Sequence, residues 1–139
     1  MDYRKSGREL VIRLDEDEEI VESITSICKK ENIESALVSG IGAVKKAELA
    51  HFDTKEKKYN KKTFEGMFEI ASLSGNIAML EGKPIAHLHI VIAGTDFSTY
   101  GGHLMKGITN PTCEIVLLPL ETKIKRAKDE KTGLNLQTF

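Results

Sequence analysis

Hydrophobic and polar positions follow one period near the start of this chain and another after residue 33. The segment "RELVIRL" reads as a first strand. It is followed by "DEDEEIVESITSICKKEN". There Ile20, Val21, Ile24, Ile27 and Cys28 recur at i, i+1, i+4, i+7 and i+8, which lays them along one stripe of a helix. Asp15 is the expected N-cap. Asp17, Glu18 and Glu19 load the first turn with negative charge, and Lys29 and Lys30 close the other end, so both ends suit the helix dipole. The acidic run therefore has a structural explanation and is not read as a binding tail.

Beyond residue 33, "IESALVSGIGAVKKAELAHFD" is rich in small and branched residues and is broken into two strand-like pieces at Gly40 and Gly42. The polar "DTKEKKYNKK" reads as a solvated loop between antiparallel strands. "TFEGMFEIASLSGNIAML" and "PIAHLHIVIAG" read as strands joined by the turn "EGKP", and "CEIVLLPLETKIKRA" supplies one or two more. Residues 127–139 read as a loose tail. One helix followed by successive strands predicts an α+β domain with a largely antiparallel sheet, occupying residues 1–139 as a single unit.

Composition narrows the function classes. A hydrophobic fraction of 40% supports one ordinary core. Twenty basic against 21 acidic side chains leave a formal charge of -1, without the positive excess that binding to a phosphate backbone usually brings. Cys28 and Cys113 form no CxxC and read as small buried residues in a reducing compartment. No apolar run follows "MDYRKSGREL", and no apolar stretch approaches the ~20 residues needed to cross a bilayer. The expectation is a cytoplasmic protein without a cleaved leader or a membrane span.

Three of the four histidines fall within "HLHIVIAGTDFSTYGGHL". On a strand, His87 and His89 project from the same face with Cα atoms ~6.5–7 Å apart. That separation lets two imidazoles converge on one ion at Zn–N distances of ~2.0–2.1 Å, while Leu88 and Ile90 face the core. The chain then turns and delivers His103 after Gly101 and Gly102, which permit positive φ or close backbone approach. Three imidazoles are the ligand set of a catalytic-type zinc site with an open position. Such an ion polarises a carbonyl or generates hydroxide. Glu69 and Asp96 are the nearest carboxylates in sequence for an acid–base role. His51 reads as a half-exposed strand residue.

Taken in order, "ALVSGIGAVKKAELAHFD", "FEIASLSGNIA", "PIAHLHIVIAG" and "YGGHLMKG" resemble the PPC domain (plant and prokaryote conserved, also called DUF296), over roughly residues 5 to 125. The resemblance implies an α+β fold assembled as a homotrimer, with His87, His89 and His103 binding zinc or another divalent first-row metal. The implied fold is similar to that of acetolactate decarboxylase, a zinc enzyme with three histidine ligands, two of them in an HxH. That similarity does not transfer the reaction. Plant members of the family carry an AT-hook ahead of the domain; "YRKSGRE" lacks its Gly-Arg-Pro core, so direct DNA binding is not expected. In "SLSGN", Ser72, Ser74 and Gly75 read as a bulge or turn, and Gly40 and Gly42 as the same or as the lining of a cleft between subunits.

Two functional readings follow. One is a cytoplasmic homotrimer whose three-histidine metal site acts on a small carbonyl or carboxylate compound by hydrolysis or lyase chemistry. The other is a non-catalytic, DNA-associated assembly module in which any metal holds the fold or the trimer together.

Overall fold

The computed structural model describes residues 1–138. The elements run β1 (Asp2–Ser6), β2 (Glu9–Leu14), α1 (Ile20–Lys30), β3 (Ala36–Asp53), β4 (Lys58–Leu80), β5 (Lys83–Ala93), β6 (Thr99–Pro119), β7 (Lys125–Lys128) and β8 (Asn135–Thr138). One helix against a mainly antiparallel sheet matches the fold class expected from the sequence; among the described strands only the β4–β7 contact is parallel.

Strand β3 pairs with both β4 and β6, and β5 also pairs with both, so these four strands close a circuit. Alternation decides which side is inside. In β2, Leu10, Ile12 and Leu14 are buried while Val11 is exposed. In β5, Leu88, Ile90 and Ile92 are buried while His89 and Val91 face outward. Helix α1 closes the core with Ile20, Ile24, Ile27 and Cys28, most of the stripe its spacing predicted.

Three local expectations are corrected. The N-cap of α1 is Glu19, not Asp15: its carboxylate accepts from the Glu22 N–H at 2.6 Å and from the Gly107 N–H at 2.8 Å. The preceding residues are held by β6 instead, with Asp17 N–H donating to the Thr109 carbonyl and Thr109 N–H to that of Glu18. The lysine-rich segment is mostly strand. Asp53 pairs with Lys58 around a turn in which Asp53 Oδ1 accepts from the Lys55 and Glu56 N–H groups, and Lys61 bridges Glu48 across the ladder. Residues 127–138, read as a loose tail, run through the β7–β8 hairpin, whose turn is held by Asp129 accepting from the Thr132 N–H and hydroxyl.

Gly40 and Gly42 flank a bulge in β3. Gly42 has φ of +141°, and a Cβ there would overlap the Thr112 carbonyl oxygen of β6. The glycine reading as backbone geometry therefore applies at this position.

Candidate metal centre

Long-range register builds the site. His89 on β5 pairs directly with His103 on β6, and His103 in turn pairs with Ala50 on β3. His87 stands two residues back on the same face of β5. The ring centroids are separated by 5.1 Å (His87–His103), 5.3 Å (His87–His89) and 5.6 Å (His89–His103). One nitrogen from each ring lies within 4.8 Å of the other two. Two nitrogens on one tetrahedral zinc sit about 3.4 Å apart at ordinary Zn–N lengths, so small ring rotations suffice to gather the set.

The surroundings suit an ion. His103 Nδ1 is buried without a hydrogen-bond partner, the kind of orphaned ring nitrogen that needs an occupant. Burial lowers the His87 pKa to about 4, helped by Arg126, His103 and His89. The same burial, with His89 and Arg126, lowers that of His103. Both rings are thus neutral near pH 7, the form that ligates. Cys28 and Cys113 are buried elsewhere in the core, and burial pushes their thiols up to about 12.

The histidines lie in a cleft of about 680 Å³, within the usual range for small-molecule sites. Ala50, Phe52, Tyr59, Ile85, Leu134 and Leu136 give it a largely apolar wall, and the last two come from the C-terminal hairpin. The Tyr59 ring lies 5.3 Å from that of His103. No Asp or Glu lines the cleft among the described residues. Glu69 is exposed on β4 and pairs with Ala93, and Asp96 spends its carboxylate on the Ser98 N–H and hydroxyl in the β5–β6 turn. Neither candidate carboxylate is brought to the histidines. His51 is exposed at the edge of the cleft and stands outside the three-ring group.

Gly101 and Gly102 are strand residues rather than positive-φ ones; a Cβ at Gly102 would sit 3.0 Å from the Ala50 carbonyl oxygen. Gly75 is not in a bulge or turn. It pairs with Leu88 inside the β4–β5 ladder, where a Cβ would overlap the His87 carbonyl oxygen.

Arg126 was not singled out by sequence reasoning. It arrives on β7, where Nη2 donates to Asn76 Oδ1 at 2.9 Å and lies 2.9 Å from His87 Nδ1, while Nη1 donates to the Asn135 carbonyl at 3.0 Å. Its sequence neighbourhood, "KIKRAKDE", is densely charged, and nothing local distinguishes this side chain's role from that of the lysines around it.

Residues 1–121 match the model of the Plants and Prokaryotes Conserved (PCC) domain. Among solved structures, a candidate DNA-binding protein from Bacteroides thetaiotaomicron is 34% identical, with 99% of this chain and 96% of that one covered at a TM-score of 0.96. A metal-containing protein from Archaeoglobus fulgidus is 36% identical, with 100% and 99% covered at 0.90. A plant- and prokaryote-conserved (PPC) protein from Pyrococcus horikoshii is 34% identical, with 96% and 92% covered at 0.88. Acetolactate decarboxylase from Bacillus subtilis shares the fold alone, at 14% identity and a TM-score of 0.58, with 84% of this chain and 54% of that one covered. No curated protein matches the chain.

Proposed function

Since this chain belongs to the Plants and Prokaryotes Conserved domain family, we propose that it is a metal-binding homotrimer whose His87, His89 and His103 hold zinc or another divalent first-row ion. The convergence of three imidazoles in one cleft, with His87 and His103 kept neutral by burial, carries this reading. The metal-containing relative from Archaeoglobus fulgidus, alike over its whole length, supports it. Held by three side chains, such an ion keeps a coordination position for a small ligand and supplies Lewis acidity there. The residues of the chain supply the rest: a largely apolar wall, the Tyr59 ring beside His103, and Arg126. A small carbonyl or carboxylate compound fits that lining, with hydrolysis or lyase chemistry as the reaction class. No described helix is long and apolar enough to cross a membrane, and a cytoplasmic location is part of the same proposal.

Support for assembly comes from the outer face of the sheet. Val11, Val116, Ser39, Ser74, His89 and His103 form one continuous cross-strand row from β2 to the site. At the far end of this row Val11 is 57% and Val116 46% exposed, and beside it Leu37 is 51% and Ile41 60% exposed. An apolar patch of this kind is what a subunit interface covers, and its row runs on to the histidines, which supports a cleft near the subunit boundary. Native mass spectrometry of protein purified without a nickel column tests both points at once. Three chains carrying one ion each are expected; a metal-free chain that takes up no added zinc would sink the metal reading, and a monomer the assembly reading.

A second reading, a DNA-associated module, is favoured by the candidate DNA-binding relative. Balanced charge and an apolar outer face argue against it. A mobility shift with duplex oligonucleotides at low salt is expected to show no complex, whereas a salt-sensitive shift would restore this reading.

A further inference from the structure

Arg126 presents a problem of charge and of hydrogen bonding. It is half-buried, its Nε is buried without a partner, and among the described residues no carboxylate pairs with it. The cleft it enters holds four imidazoles, His51 at its edge among them, and no acidic side chain. Partly desolvated guanidinium groups are normally matched by an anion, and their planar fork fits a carboxylate with two parallel hydrogen bonds.

The contact with His87 sharpens the problem. A guanidinium only donates, so at 2.9 Å from Arg126 Nη2 the Nδ1 of His87 must be the acceptor, which puts the ring hydrogen on Nε2. A neutral imidazole has one such lone pair. If Nδ1 gives it to an ion, Arg126 loses its acceptor; if Nε2 does, Nδ1 carries the hydrogen and two donors face each other. Ion binding at His87 and the present Arg126 contact therefore exclude one another. Displacement frees an Arg126 donor inside a cleft made still more positive.

From this geometry we infer that Arg126 is the anion-recognising residue of the cleft, a fork for the carboxylate of a small compound whose hydrocarbon body lies on Phe52, Ile85, Leu134 and Leu136. The inference rests on the metal reading only for the second donor of the fork, the Nη2–H that leaves His87, since Nε–H is without a partner in the metal-free chain; it gives that reading its substrate class. It also gives the C-terminal hairpin a role: residues 122–138, beyond the segment matched to the family, carry both the fork and part of the apolar wall.

The test uses the full chain, Arg126→Gln and Arg126→Lys, with circular dichroism to verify folding. Propionate is the carboxylate probe and inorganic phosphate the competing oxyanion. In chelator-treated wild type, propionate is expected to shift the Arg126 Nε–H resonance and to bind Arg126→Gln at least about tenfold more weakly, the loss of one charge-assisted pair. Lysine keeps the charge without the fork and should recover only part of the affinity. In calorimetric titrations with Co²⁺, propionate should tighten ion binding to the wild type. In Arg126→Gln the ion alone should bind more tightly than to wild type, while the propionate enhancement disappears. Equal propionate binding by wild type and Arg126→Gln would overturn the inference, as would no binding by the wild type or tighter binding of phosphate. Failure of Co²⁺ to bind the wild type would instead sink the metal reading, and the propionate titration of metal-free protein would still decide Arg126.

Discussion

His89→Ala is expected to weaken divalent-ion binding by at least about 100-fold, since losing even an outer-shell partner of a metal site costs 10–100-fold. His89 is exposed, so truncation removes no core packing, and the metal-free variant should melt close to the metal-free wild type. Added ion separates the two. At 100 times the dissociation constant, an ion that binds only the folded chain stabilises it by about 2.7 kcal/mol, and this increment should vanish in His89→Ala. His51→Ala is the control and should leave both readouts unchanged, because His51 lies outside the three-ring group. Thermal denaturation with and without Zn²⁺, together with titration of the Co²⁺ absorption bands, measures both effects. Undiminished affinity in His89→Ala would mean that the ion is held elsewhere.

Gly75→Ala is expected to be the most damaging single-methyl change at the site, destabilising the chain by roughly 3 kcal/mol, at the upper end of what overpacking a tight core costs. The added Cβ would overlap the His87 carbonyl oxygen and come within 2.9 Å of the His87 carbonyl carbon and Leu88 Cα. All three are backbone atoms in a ladder that continues on both sides, so neither strand can yield alone. Relief requires β4 and β5 to part at the register that sets His87 and His89 opposite Asn76 and Ser74. The variant should therefore lose ion affinity as well as stability. Gly101→Ala provides the contrast. Its nearest neighbours would be the Ile90 carbonyl oxygen at 3.3 Å and Val91 Cγ2 at 3.4 Å, and a cost of about 1 kcal/mol or less is expected. Chemical denaturation of both variants checks the difference; equal losses would show that strand glycines here act through chain entropy rather than close approach.

What the amino-acid order determined by itself was the part governed by short-range periodicity. The 3.6-residue stripe from Ile20 to Cys28 placed α1, and the two-residue period of "HLHIVI" put His87 and His89 on the face opposite Leu88 and Ile90. The ordered segments shared with the family carried the fold class. Tertiary structure alone decided the remainder, because each of these features depends on which distant backbone lies alongside. The backbone pairing of Asp17 and Glu18 with Thr109 moved the start of the helix to Glu19, and the strand register across 14 residues put His103 opposite His89. Glu69 and Asp96 were near the histidines in sequence yet point into other surroundings. Arg126 was distant and charged like its neighbours, and it became part of the site only because the β7–β8 hairpin folds back beside β4. Periodicity reports which face a residue occupies, but only long-range pairing reports which residues share that face.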